Sequence, residues 1–207
     1  GPLGAGWTHS YDVRLIQDNF GDLTVIGGEG TGNTFSGDSA HQDPEKAALF
    51  GLPATVLFYD PQAGYHSTLV QLDPEHHPEQ FDFYTKAHVR YHFDLNPYME
   101  PFGEVYALQF IEDPNGNRIN LIYDKADPRV ADLPGVLQEA FDVVVGVIGL
   151  EPHDDPSTLN VIQDSSGRAL ILAYSQEDIF LEKRIIQITG YDPTSFTQDL
   201  GNLQIAY

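Results

Sequence analysis

The sequence has no cysteine among its 207 residues. Disulfide staples, thiol catalysis and zinc–thiolate centres are therefore excluded. Cations are scarce as well: 10 Lys and Arg stand against 31 Asp and Glu, a formal net charge of −21. A surface of that sign repels phosphate backbones, whose binding needs cations that displace condensed counterions. It gains nothing from anionic lipid headgroups either. Long hydrophobic runs are missing. The longest, Val143 to Leu150, falls far short of the roughly 20 residues a membrane helix needs. No signal peptide is legible, so if the protein is exported the signal is expected outside this stretch. Neither a nucleic-acid partner nor membrane insertion is expected. The acidity reads as a solubility device, with an acidic face for cations or a basic partner as the sharper alternative.

What is present points to strands. Hydrophobic residues make up 41 % and aromatics 12 %, enough to bury a core, and 19 Gly and 14 Pro punctuate the chain. β-branched and aromatic residues recurring between turn formers predict a mainly β fold of antiparallel hairpins in a twisted sheet, with one or two short helices. The length suits one sizeable domain or two small ones, and residues 1–207 are expected to form a single fragment. Both ends read as cut. Gly1-Pro2-Leu3-Gly4 fits a protease scar, and Leu203-Gln204-Ile205-Ala206-Tyr207 fits a strand stopped in mid-pattern.

Along the chain, Tyr11, Val13 and Leu15 alternate with Asp12, Arg14 and Ile16, and Asp18-Asn19-Phe20-Gly21-Asp22 reads as a hairpin turn before Leu23–Ile26 returns. Residues 27–40 are rich in Gly, Ser and Thr and read as a loop. Residues 44–50 suit one short helix, with Asp43 as cap and Pro44 at the first helical position. Residues 54–60 and 65–72 read as strands. From Phe81 to Phe93, apolar and polar residues alternate without a break, which predicts one long strand.

An internal repeat follows. Leu108 to Asp124 reads LQFIEDPNGNRINLIYD and Leu159 to Ser175 reads LNVIQDSSGRALILAYS. The two align without gaps: Asp113 falls on Asp164, Gly116 on Gly167 and Tyr123 on Tyr174. Each predicts a hairpin whose Asp carboxylate bonds turn N–H groups and whose Gly takes the positive φ. A weaker third unit runs from Lys183 through Gly190, Tyr191 and Asp192 to Tyr207. Residues 125–158 interrupt the series and read as an insertion, with a short helix near Leu133–Phe141.

These residues resemble the YD repeat of the RHS family, which includes bacterial Rhs proteins, Tc-toxin shell components and teneurins. Asp113-x-x-Gly116-Asn117-Arg118 followed by Tyr123-Asp124 is similar to one repeat. Asp164-x-x-Gly167-Arg168 followed by Tyr174 is similar to a second, with Ser175 where Asp is usual. Gly6-Trp7-Thr8-His9-Ser10-Tyr11-Asp12 resembles the Gly-Trp segment that opens the repeat region, in which case Gly1–Gly4 are native. The resemblance covers most of the chain outside 27–55 and 125–158. It implies a sheet that spirals into a hollow shell around a C-terminal, often toxic, polypeptide. This chain would then be an early wall segment of a secreted or cell-surface bacterial protein. Its partners would be the remaining repeats and the enclosed cargo, with self-association through open sheet edges and glycan contact as further options.

No constellation calls for catalysis, a cofactor or a metal. His88 and His92, on one strand, would sit roughly 13 Å apart at ~3.3 Å per residue, too far for a shared ion. His76-His77 among Asp73, Glu75 and Glu79 has the residue types of a zinc or nickel site, but a solvated loop is the better reading. Asp113-Pro114-Asn115-Gly116-Asn117 lacks the distal Glu of a calcium loop. Asp154-Asp155 with Glu151 suits a weak cation site or a solvated loop. Ser10, Ser36, Ser67 and Ser157 lack the Gly-x-Ser-x-Gly elbow, and Gly27-Gly28-Glu29-Gly30 lacks the Lys of a phosphate loop. Trp7 and the tyrosines suit either a sugar platform or ordinary cross-strand packing.

Overall fold

A computed structural model describes residues 10–95, 104–123, 159, 161–174, 185–191 and 203–204. Trp7, Asp124, Asp192 and residues 125–158, which were expected to form an insertion with a short helix, lie outside the described residues, as do the chain ends. The fold is mainly antiparallel β, with one short α-helix and one 3-10 turn. It divides into two compact units, Ser10–Arg118 and a second whose described residues lie between Ile119 and Gln204.

The first unit contains β1 (Arg14–Gln17), β2 (Leu23–Ile26), β3 (Gly32–Phe35), α1 (Pro44–Leu49), β4 (Leu57–Tyr59), β5 (Thr68–Asp73), β6 (His77–Tyr84), β7 (Arg90–Leu95) and β8 (Glu104–Glu112). Hydrogen-bonded neighbours run β4-β5-β6-β7-β8-β1-β2-β3. The path then nearly closes on itself as a barrel-like sheet. Phe35 bridges Pro61 just past β4, with Ser36 N–H donating to the Asp60 carbonyl at 3.2 Å and Gln62 N–H to that of Thr34 at 3.0 Å.

Closure encloses one face of the sheet. Cross-strand partners share a face, so Phe35–Leu23, Val25–Leu15–Tyr106, Leu108–Phe93–Phe81 and Tyr91–Phe83–Leu69 line one surface. Leu15, Leu23, Phe35, Leu69, Phe93 and Leu108 have no solvent exposure. Phe35 on β3 meets Phe83 on β6 edge to face at 6.1 Å, although the two strands are not neighbours. That contact crosses the interior, which side chains therefore fill.

The outer face of β4, β5 and β6 is covered by α1 and the residues after it. Ala47, Val56, Phe58, Val70 and Tyr84 pack together with Phe50, Leu52 and Leu72. Asp43 caps α1 by accepting the Lys46 N–H at 2.9 Å, as Asp-Pro at a helix start predicts.

Two expectations are corrected. Phe81–Phe93 is not one strand: β6 ends at Tyr84, the chain turns over Thr85–Val89, and β7 returns. Alternation survives because Tyr84 pairs Arg90 and Phe81 pairs Phe93, so odd residues face odd residues across the hairpin. His88 and His92 accordingly do not share one strand; His88 sits in the corner. Residues 27–40 are not a plain loop either, because β3 and the 3-10 turn Gly37–Ser39 lie within them. Gly32-Asn33 has poor strand propensity, and pairing with β2 overrides it.

In the second unit, strand residues Ile119–Ile122 of β9 (Arg118–Ile122) pair β10 (Val161–Asp164), which pairs β11 (Ala169–Tyr174). Next come β12 (Ile185–Tyr191) and β13 (Leu203–Gln204), all antiparallel. Leu121, Val161 and Ile171 are buried there.

Candidate functional site

One corner recurs. At Asp113 the backbone N–H donates to the Asn117 carbonyl at 3.0 Å, and the Gly116 N–H donates back to the Asp113 carbonyl at 3.0 Å. The carboxylate Oδ1 accepts the N–H groups of Asn115 and Asn117 at 2.8 and 2.9 Å. Asp164 repeats the pattern with Gly167, Ser166 and Arg168. Asp18 repeats it with Gly21, Phe20 and Asp22, a third copy that the alignment of the longer repeats did not include. Gly21, Gly116 and Gly167 have φ of 89°, 83° and 86°, the left-handed region where a Cβ is penalised. Thr85–Val89 has the same backbone bonds, with Thr85 Oγ1 accepting the Val89 N–H at 3.2 Å. There His88 occupies the glycine position at φ 59°.

Turn donors take up the Asp113 carboxylate. Its second oxygen, Oδ2, accepts Nδ2 of Asn117 at 2.8 Å. Both oxygens face donors, which is the arrangement that stabilises an anion rather than one that recruits a cation. The Asp113 carboxyl is held below the usual carboxylate range, chiefly by the Asn117 side chain. At Asp164 partial burial works to raise the carboxyl, but bonds from Ser166 and Arg168 outweigh it and hold it at about 2.

A cluster of charged side chains sits on the outer face of β6, β7 and β8. Register brings Asp82 opposite His92, and His92 opposite Phe110. Asp82 has no solvent exposure. Its Oδ1 lies 2.8 Å from Nδ1 of His92, and its Oδ2 accepts the Tyr84 hydroxyl at 3.2 Å. Arg90 Nε lies 2.7 Å from Oδ2, an ion-pair distance, but its N–H does not aim at that oxygen, so the contact is Coulombic rather than a directed hydrogen bond. Arg90 also reaches Glu112 at 3.7 Å, and Arg118 bonds Glu112 at 2.8 and 2.6 Å. Phe110 stacks on His92 at 4.7 Å and carries the Arg118 guanidinium 3.9 Å over its ring. Burial, then the Asp82 charge, raises the Tyr84 phenol well above its ordinary range, so it remains a neutral donor.

The His92 ring lies flat against Phe110, and the cluster ties three strands to one register. The sequence did not single it out, since Asp82, Arg90 and His92 fall on the polar parity of a supposed single strand. Placing the corner at Thr85–Val89 would have brought them face to face.

The remaining expected residues are dispersed. Asp12 pairs with Arg14 at 3.3 Å beside Tyr11. Tyr123 is half-buried after β9, Tyr174 ends β11 and Tyr191 ends β12. His76 pairs Asp73 at 3.0 Å, and His77 pairs Glu79 at 3.1 Å, as two separate contacts. Among the described residues, no three His, Asp or Glu side chains converge on a metal position.

No protein-family profile matches the sequence, and no curated protein matches it. Solved structures do. The N-terminal domain of the effector protein SpvB from Salmonella typhimurium strain LT2 superposes with a TM-score of 0.50 at 9 % identity, over 92 % of this chain and 78 % of that one. The Photorhabdus luminescens Tc holotoxin pore superposes with a TM-score of 0.50 at 12 % identity, over 99 % of this chain and 12 % of that one. The fold is shared with an effector domain and a toxin component. Identity this low carries the architecture alone.

Proposed function

We propose that the chain is a non-catalytic wall segment of a large RHS/YD-repeat protein that encapsulates or presents a C-terminal, often toxic, polypeptide. The whole protein would be secreted or displayed at a bacterial cell surface. Its partners would be the other repeats and the enclosed cargo. The observation that carries the reading is the carboxylate-held corner, used at Asp18, Asp113 and Asp164 to link antiparallel strands in series. Such a unit extends a sheet without converging side chains on a reactant. Fold likeness to the SpvB domain and the Tc holotoxin pore supports it. So does the Asp82 cluster, whose charges are matched against each other.

Protease protection of the complete polypeptide tests this. The C-terminal cargo should resist cleavage until urea unfolds the wall, and Asp82→Ala should lower the urea concentration at which protection fails. Cleavage of the cargo under native conditions, or turnover of ester or glycoside substrates by the chain, contradicts it.

A second reading, adhesion or self-assembly, rests on Phe20, which stands 90 % exposed at the tip of the Asp18 corner. Light scattering and a glycan array separate the two: a strict monomer without glycan signal removes the second.

A further inference from the structure

We propose that Asn115 is a site of spontaneous deamidation and that the Asp113 corner acts as its brake. Asn115-Gly116 is the one Asn-Gly pair in the sequence, and both residues are exposed. Glycine has no Cβ to crowd the approach of its own nitrogen to the preceding side chain. In the reaction the Gly116 nitrogen bonds to Cγ of Asn115, and the bond from Cγ to Nδ2 breaks. Ammonia departs, taking up the proton lost from the Gly116 nitrogen. The resulting succinimide is opened by water at either carbonyl. The products are aspartate or isoaspartate at this position, the latter with its backbone routed through Cβ.

The folded corner opposes every part of that step. The Gly116 N–H is committed to the Asp113 carbonyl at 3.0 Å. The Asn115 N–H is held by Asp113 Oδ1 at 2.8 Å, and Nδ2 lies 3.4 Å from Oδ2. Attack needs a deprotonated Gly116 nitrogen turned toward Cγ, so the corner must open locally first. The equivalent corners carry Phe20 and Ser166 where this one carries Asn115, and those side chains have no amide to lose. Asn117 is followed by Arg118, whose Cβ crowds the same approach. Deamidation would place a negative charge beside the Asp113 carboxylate, and isoaspartate would add a backbone atom to the corner. The reaction is thus an irreversible loosening of the link between β8 and β9.

Peptide mapping by mass spectrometry on the full chain, aged in mildly alkaline buffer, reads the outcome. Asn115 should deamidate ahead of Asn19 and Asn117, and faster in urea than in the folded state. Asp113→Ala should accelerate it about fivefold, equivalent to ~1 kcal/mol of corner opening. Asp164→Ala should leave the Asn115 rate unchanged. Hydrogen exchange at the Gly116 amide of the unsubstituted chain covers the case in which Asp113→Ala misfolds: protection should fall in step with rising deamidation as urea is added. Asn19 or Asn117 reacting first, an unprotected Gly116 amide, or an unchanged rate in a folded Asp113→Ala chain overturns the proposal.

Discussion

Asp82 Oδ1 lies 2.8 Å from Nδ1 of His92, directly across the β6–β7 hairpin, and the carboxylate is sealed from solvent. Removing one partner of such a cluster leaves the others with uncompensated charge. Asp82→Ala should cost about 3 kcal/mol, the lower end for a broken buried pair, because Arg90 and His92 retain some access to water. Urea unfolding should show a lower midpoint with an unchanged slope. A midpoint shift within error would mean that the cluster does not hold the strands.

The glycine position of the Thr85–Val89 corner is occupied by His88 at φ 59°. L-residues pay for the left-handed region, β-branched ones most. His88→Gly should raise stability by about 0.5–1 kcal/mol, after allowing for glycine's larger unfolded-state entropy and the loss of the contact with Phe50. His88→Val should lower it by more than that. Thermal melts of the two variants check the opposite signs.

Gly37 is required by close approach. A Cβ there would stand 2.2 Å from the Gly21 carbonyl oxygen, backbone that cannot swing aside. Gly37→Ala should cost about 1–3 kcal/mol. Gly27→Ala meets only the end of the Glu29 side chain and should be tolerated far better. Equal losses in denaturant midpoint would contradict this.

Acid sensitivity should trace to the corners. The Asp164 carboxyl titrates at about 2 when folded, against an ordinary value of 3.8. Between those values the unfolded chain binds more protons, so stability rises with pH across that window. The contribution is complete above about pH 4 and is lost as pH falls through about 2. Asp164→Asn keeps an acceptor oxygen but removes the titration. Its stability should therefore vary less with pH in that window, as read from urea midpoints at successive pH values. Parallel pH curves for the two proteins would count against it.

Local chemistry was legible where one short segment decides the outcome. Asp43-Pro44 announced α1, and Asp18 to Asp22 announced a hairpin. Asp113 and Asp164 announced matching corners. The Thr85–Val89 corner was hidden because Thr and His replace Asp and Gly, and because parity is preserved through the turn. β3 was hidden because tertiary pairing, not propensity, makes Gly32–Phe35 a strand. The Asp82 cluster was hidden with the corner that assembles it. Closure through Phe35 and Pro61 joins segments that no local pattern relates.

Electron microscopy of the complete polypeptide tests the wall assignment most directly. The account predicts density in which the strands of this chain continue, hydrogen bond by hydrogen bond, into a sheet enclosing a C-terminal segment. A freestanding domain, with a small molecule held against Asp82 and His92, would contradict it.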